Sequence, residues 1–215
     1  MPLFPPYLMT NLSETRRHLK RTRIALSAQD RAAAAAAAIR QLAKMPQFRK
    51  ARRIATYLGS KGELDPTPLI AQAKARDQIF YLPVLHPFRD GHLLFCHWTP
   101  GERLIVNRYG IPEPVVSASR LIPARNLDLV IVPLLGFDPA CHRLGMGGGY
   151  YDRSFAFVRR LVHITKPFLL GFAHESQRLE HIALQPWDVA LNAVVTNRRL
   201  YLGSGNSSDR QHAGS

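Results

Sequence analysis

The stretch that most restricts the fold of this chain is Leu127-Asp-Leu-Val-Ile-Val-Pro-Leu-Leu135. Its only charge is Asp128, and from Leu129 onward polar and apolar side chains do not alternate. A strand with one face in water alternates; a continuous apolar run is what a strand covered on both faces requires. Parallel neighbours need crossover connections, and the crossovers place helices on both sides of the sheet. The run therefore predicts a parallel sheet sandwiched between helices.

The flanking segments agree. Ser13–Leu26 reads as a basic helix with Leu19 and Leu26 among its few apolar positions. Ser27-Ala-Gln-Asp30 has the spacing of a capping box, with Asp in place of Glu or Gln. The alanine-rich run Ala32–Ala38, continuing through Ile39 and Leu42, is a strong helix former. Arg53-Ile-Ala-Thr-Tyr-Leu58 is a β-branched and aromatic strand, ended by the turn Gly59-Ser-Lys-Gly62, with Glu63 following. Asp65 and Pro66 suit the start of a helix running to about Arg76. Ile79–Leu85 is the next strand, Gly91–Trp98 and Arg103–Asn107 belong to a hairpin-like insertion, Tyr151–Leu161 reads as a helix, and Pro167–Ala173 and Ala193–Thr196 as strands. Strands alternating with helices predict an α/β fold with a mostly parallel central sheet flanked by helices, and 215 residues suit one such domain. Ligands of these sheets sit at the carboxyl ends of strands, which singles out the loops Gly59–Glu63 and Phe137–Asp152.

No apolar run approaches the roughly 20 residues of a membrane-spanning helix. Met1–Thr10 carries Pro2, Pro5 and Pro6 and lacks a basic start and a cleavage site, so residues 1–12 are expected to be a ragged leader. With Cys96 and Cys141 as the only cysteines, no disulfide framework is expected, and a cytoplasmic location fits. Gly203–Ser215 is polar and rich in glycine and serine, the composition of a disordered tail. The net charge of +14 is uneven: Glu14–Arg53 holds 12 Lys/Arg against two acids. Such a field favours anionic partners, from nucleotides and polyglutamates to nucleic acid, although a solvated helix face has the same appearance.

Chemistry is concentrated in Arg143-Leu-Gly-Met-Gly-Gly-Gly-Tyr-Tyr-Asp-Arg153. Gly145, Gly147, Gly148 and Gly149 let backbone N–H groups approach an anion closely and permit positive φ. A helix beginning near Tyr150 would favour phosphate at its start. Arg143 would add a charge-assisted contact, and Asp152 would hold a metal bridging the phosphates. No Gly-Lys-Ser/Thr closes the loop, so it is neither a Walker loop nor a dinucleotide fingerprint. The histidines, among them His86, His92, His97, His163, His174 and His181, match no ligand or triad spacing, and no catalytic part is expected of them.

Taken with Gly136-Phe-Asp upstream, this string closely resembles the signature of the 5-formyltetrahydrofolate cyclo-ligase family. The resemblance runs from about Arg16 to about Thr196. It includes Ala25-Leu26-Ser27, Tyr57-Leu-Gly-Ser-Lys-Gly-Glu-Leu-Asp65, Leu82-Pro-Val-Leu-His-Pro87, Gly110-Ile-Pro-Glu-Pro114, and Trp187-Asp188 ahead of Ala193-Val-Val-Thr196. It implies a fold like that of sugar-phosphate isomerases and CoA transferases, with a cyclo-ligase domain over residues 13–202. The implied reaction is ATP-dependent closure of 5-formyltetrahydrofolate to 5,10-methenyltetrahydrofolate, with ADP and phosphate released.

By the same resemblance, ATP lies against Arg16 and against Arg143, Leu144, Gly145, Met146, Gly147, Gly148, Gly149, Tyr150 and Tyr151. Leu58, Glu63, Tyr109 and Tyr150 line the folate site, with Met146 at its border, and Asp152 and Asp188 hold Mg²⁺. A basic residue often stands one turn before the arginine of the first helix; this chain has Leu12 there, with Arg17 and Lys20 nearby. The implied partners are ATP and 5-formyltetrahydrofolate, polyglutamylated or not, bound by a monomer with no membrane and no nucleic acid. Two other readings stand beside this one: an RNA- or nucleotide-binding protein using the basic first helices, and a related α/β enzyme without ATP chemistry.

Overall fold

The computed structural model describes residues 11–73, 77–160 and 166–203. Residues 1–10 of the leader expected over 1–12, residues 204–215 of the tail expected over 203–215, and the distal ends of the helices expected to reach Arg76 and Leu161 lie outside the described residues; Asn11 and Leu12, placed in the leader, instead open the first helix.

The chain begins with α1 (Leu12–Ile24), capped by the Asn11 carboxamide oxygen, which accepts from the backbone N–H of Ser13 and Glu14. Next comes α2 (Ala28–Leu42), where Ser27 Oγ accepts from the Asp30 N–H at 3.0 Å and donates to the Asp30 carboxylate at 2.7 Å. The short α3 (Pro46–Lys50), absent from the sequence reading, starts on a proline, which suits a first helical turn. The strands β1 (Arg53–Ala55) and β2 (Ile79–Leu85) flank α4 (Pro68–Ala73). β3 (Leu93–His97) returns antiparallel to β2, and β4 (Leu104–Val106) and β5 (Pro112–Pro114) form a separate hairpin. β6 (Leu121–Ile122) pairs with β3, and β7 (Leu129–Val132) is the apolar run. β8 (Gly136–Phe137) and β9 (Arg143–Leu144) make a two-stranded ribbon. After α5 (Tyr150–Ser154) and α6 (Ala156–Arg160) come β10 (Phe168–Ala173), β11 (Ala193–Thr196) and β12 (Leu200–Leu202).

Among the described residues the main sheet has eight strands in the order β12-β11-β10-β7-β1-β2-β3-β6. The five from β11 to β2 are parallel, and antiparallel strands close both edges. The expected α/β sheet is therefore present, and β7 shows why. Leu129 and Ile131 enter one core cluster, with Ala34, Ala38, Ile39 and Leu42 of α2. Val130 and Val132 enter the other, with Phe137 and Phe155. All four β7 side chains are fully buried, each contributing roughly 1.5–3 kcal/mol of apolar transfer energy. Pro133, without an N–H, ends the strand's ladder before Leu135.

The expected single helix over 151–161 is instead two short ones, with Phe155 between them at φ −108° and ψ 10°. The break lets Ser154 Oγ accept the Leu93 N–H of β3 at 2.8 Å while Phe155 enters the core. β5, β6 and β12 escaped the sequence reading because they have two or three residues each, and β5 carries prolines at both ends.

From β1 the chain moves to β2 on one side, whereas β7, β10 and β11 build outward on the other. The order thus reverses between β1 and β7, a topological switch point, and both expected site loops leave those two strands. The second loop is braced by Asp138, which is almost fully buried. Its Oδ1 accepts from Ala140 N and His142 N at 3.0 Å each, and its Oδ2 from Ile182 N at 3.0 Å and His142 Nδ1 at 2.8 Å. Asp138→Ala strands three backbone donors. Urea denaturation is expected to show a loss of at least about 3 kcal/mol, at 1–3 kcal/mol per unsatisfied group.

Candidate active site

Residues 59–63 leave β1 in a turn in which Glu63 N donates to Ser60 O at 2.9 Å. Lys61 and Gly62 have φ of +47° and +79°. Gly62 lies so close to α1 that a Cβ there would come within 2.6 Å of Arg23 O, which only glycine allows. The Glu63 carboxylate is held from two sides. Its Oε2 accepts from Ser60 N at 3.1 Å and Ser60 Oγ at 3.2 Å, and its Oε1 lies 3.4 Å from Arg23 Nη1. Leu58 packs against the first core cluster beneath this loop. Buried His174 reaches Gly62 O through Nε2 at 3.2 Å, and burial lowers its pKa, favouring the neutral ring.

The glycine loop follows β9. Leu144 is a core residue, packed with Leu19 and Ile182, and its carbonyl accepts from Leu135 N at 2.8 Å. Its side chain anchors the loop's base. Gly145 O accepts from Arg16 Nε at 2.9 Å, so the first helix and the loop meet as expected. Gly147 and Gly149 have φ of +97° and +65°, whereas Gly145 and Gly148 do not use that freedom. Met146 is exposed at the tip, and Gly149 leads into α5 without a side-chain cap.

The two tyrosines after the loop divide the work. Tyr150 Oη lies 2.7 Å from Tyr109 Oη, and their rings meet edge-on at 5.9 Å. Arg153 stands over the Tyr150 ring and Arg108 over the Tyr109 ring. These four, with Asp90, Gly91 and Gly148, line an open cavity of about 620 Å³. The hydrogen bond to Tyr109, with Arg108 next in effect, holds the Tyr150 phenol below its usual pKa. Tyr151 stacks on Phe155 in the core, and burial pushes its phenol up. The Tyr151 ring therefore packs toward the interior, and what it turns to the loop is its backbone.

Arg143 is likewise engaged within the chain. Its guanidinium donates to Asp152 Oδ1 at 2.5 Å and to Val189 O at 2.7 Å, and its side chain is 7% exposed. Asp152 Oδ1 also accepts from Val189 N at 3.1 Å. The pair is a strut tying the loop to Val189, and the cations beside the glycines are Arg16, on Gly145 O at 2.9 Å, and Arg153, on Gly148 O at 2.5 Å. Asp188 adjoins Val189 and caps a turn through Oδ2, which accepts from Gln185 N at 2.8 Å. The two aspartates expected at a metal are thus brought to neighbouring positions. Among the described residues, no three His, Cys, Asp or Glu side chains are grouped to hold a metal ion. No helix among them is long and apolar enough to cross a membrane.

Sequence reasoning missed Arg23, Arg108 and Arg153. Arg23 lies seven residues after Arg16, on the same helical face, and that spacing was the available signal. Its burial was not legible, because basic helix residues are ordinarily solvated.

A parallel sheet whose two switch-point strands lead into a carboxylate loop and a glycine loop, both held by α1, defines an α/β protein of the doubly wound class, in which ligands bind at that point. Comparison with known proteins identifies which one. Residues 9–197 match the 5-formyltetrahydrofolate cyclo-ligase family. The 5-formyltetrahydrofolate cyclo-ligase of Escherichia coli strain K12 is 40% identical over 156 residues, covering 73% of this chain and 84% of the relative. That of Haemophilus influenzae is 32% identical over 183 residues, covering 85% and 95%. The NMR structure of Aquifex aeolicus 5,10-methenyltetrahydrofolate synthetase superimposes with a TM-score of 0.74 at 29% identity, covering 95% of this chain and 99% of that one. The chain belongs to the 5-formyltetrahydrofolate cyclo-ligase family.

The strut is open to test. Arg143→Met should cost about 3 kcal/mol in thermal or urea unfolding, at the low end for a buried pair because Asp152 remains partly exposed. In an Asp152→Asn background the same change should cost clearly less, since the carboxylate it leaves unpaired is gone.

Proposed function

We propose that this chain catalyses the ATP-dependent cyclisation of 5-formyltetrahydrofolate to 5,10-methenyltetrahydrofolate, with residues 13–202 as the catalytic domain, acting as a cytoplasmic monomer. Beyond family membership, one observation carries the reading. A single helix, α1, reaches the glycine loop through Arg16 and the Glu63 loop through Arg23, which supports reading the two loops as the halves of one site.

The reaction needs no protein nucleophile. The formyl oxygen is a poor leaving group; it takes the γ-phosphoryl group of ATP, and ADP departs. N10 of the folate then attacks the activated formyl carbon, the carbon–oxygen bond breaks, and phosphate leaves as the ring closes. The N10 proton passes to solvent. What the protein supplies is position and charge compensation. Backbone N–H groups of Gly145–Gly149 and the guanidinium of Arg16 face the phosphates. Glu63 accepts from the amino and amide N–H donors of the pterin, with Leu58 beside it. Tyr150 and Tyr109 flank the aromatic part of the folate, Met146 borders it, and Arg108 and Arg153 on the rim offer counter-charges to a glutamate tail.

Mg²⁺ travelling with the nucleotide fits the donor set, since it takes one or two carboxylates and completes its octahedron with phosphate and water oxygens. The bonds of Asp152 fall on Oδ1, and Asp188 directly precedes Val189, whose N–H that oxygen accepts. When bound, the ion would neutralise charge on the phosphates.

Purified protein with 5-formyltetrahydrofolate, ATP and Mg²⁺ should form the methenyl chromophore and ADP in equal amounts, and no chromophore without ATP. ADP release indifferent to the folate would overturn the assignment. Gly145→Ala is the cleanest probe of the loop, because its Cβ meets nothing within 4 Å and no positive φ is involved. It should weaken ATP binding in isothermal titration, by about tenfold for roughly 1.4 kcal/mol lost, with the melting temperature unchanged. Asp188→Asn keeps the turn bond to Gln185, since a carboxamide oxygen still accepts. Stability should therefore stay within about 0.5 kcal/mol, while the Mg²⁺ concentration for half-maximal activity rises and excess Mg²⁺ restores turnover. An unchanged Mg²⁺ dependence would leave Asp188 as a turn residue only.

A further inference from the structure

Arg23 lies in the last turn of α1, where basic side chains ordinarily extend into water. Here the side chain is 2% exposed. Nε donates to Lys61 O at 3.2 Å, and Nη1 stands 3.4 Å from both Glu63 Oε1 and Leu134 O. The guanidinium thus touches the loop after β1, the segment after β7, and the carboxylate between them. Leu134 O also accepts from Gln177 Nε2 at 3.0 Å, so that carbonyl does not depend on Arg23 alone.

A buried cation is a poor device for stability alone. Removing a guanidinium from water costs several kcal/mol, and buried ion pairs are often matched or bettered by apolar residues of similar volume. What an apolar residue cannot do is aim a carboxylate. Glu63 is 17% exposed, so part of its side chain remains accessible to a ligand. Ser60 holds Oε2 from one side and Arg23 faces Oε1 from the other, which fixes the rotamer and compensates its charge. A flexible, fully solvated glutamate would have to be ordered when the ligand arrives, at a cost in affinity.

We propose that Arg23 is a positioning residue for the folate site, acting through Glu63. It rests on the reading of Glu63 as the folate-binding carboxylate. It adds that α1 organises both halves of the cleft, with Arg16 on the nucleotide loop and Arg23, two helical turns on, behind the folate carboxylate.

The experiment is a double-mutant cycle on the full chain, with KM for 5-formyltetrahydrofolate and for ATP measured separately. Arg23→Gln and Glu63→Gln should each raise the folate KM by about 10–100-fold, the equivalent of one charge-assisted hydrogen bond. The ATP KM should change less than about twofold in either variant, within an energy of roughly 0.4 kcal/mol. In the Glu63→Gln background, Arg23→Gln should add little to the folate KM, because the group it positions is already gone. Arg23→Lys keeps a buried cation and should fall between the wild type and Arg23→Gln, and it carries the test alone if Arg23→Gln fails to fold. Additive effects, parallel rises in both KM values, or a folate KM that Arg23→Lys leaves unchanged would overturn the proposal. If Glu63→Gln alone leaves the folate KM unchanged, the reading of Glu63 falls and the proposal with it. If Glu63→Gln raises it while the Arg23 variants do not, only the role of Arg23 is lost.

Discussion

A guanidinium placed out of water has to find acceptors, and the fold around the cleft is arranged so that Arg23 does. Its acceptors come from two loops that are separate in sequence, at Lys61 and Glu63 and at Leu134. Those loops leave β1 and β7, the adjacent strands between which the sheet order reverses. Stripping the side chain of water costs several kcal/mol, so an arrangement in which the loops drift apart is penalised by an unpaired buried charge. The close approach of Gly62 to the Arg23 carbonyl is part of the same contact. One helix, docked in one register, thereby sets the separation of the carboxylate loop from the glycine loop.

The charges in the cleft divide into those engaged within the chain and those left to face a ligand. Arg143 and Oδ1 of Asp152 belong to the first group: each answers the other, and both bind the backbone of Val189, which leaves Asp152 Oδ2 in the second. Asp138 is similar, a buried carboxylate saturated by backbone N–H groups and His142. Arg108 and the Tyr109–Tyr150 pair line the open cavity, and Arg16 and Glu63 stand on the two loops that α1 joins. A cleft made this way suits a reaction in which both substrates bring their own reactive groups. Phosphoryl transfer followed by ring closure needs alignment and charge compensation, and rigid backbone with a few anchored side chains provides both.

The excess of positive charge in the first helices has the same double character. Arg16 and Arg23 are drawn into the cleft, whereas Arg17 and Arg21 on the same helix stay exposed. Net charge alone pointed to an anionic partner and did not separate a nucleotide from a nucleic acid. The distinction comes from the turn of the helix, because residues seven apart share a face and only that face meets the loops.

Much of this was legible in the amino-acid order, for reasons that are local. The continuous apolar run at β7 demanded burial on both faces; Ser27 and Asp30 marked a helix start; the glycines after Arg143 announced a loop that a phosphate can approach. Glu63, the loop and Asp188 were singled out from motif positions, and the fold brings Glu63 and the loop to one switch point. What remained hidden depended on partners distant in sequence. Nothing near Arg143 shows that its charge is met by Asp152 and Val189 rather than by a ligand. Nothing in Tyr150-Tyr151 says which ring packs on Phe155 and which turns to Tyr109. Arg23 reads as one more solvated arginine until α1 is laid against the sheet. Periodicity, caps and glycines act over a few residues and are written in the sequence; the burial of a charge, and the partner that compensates it, is decided only when the distant segments pack.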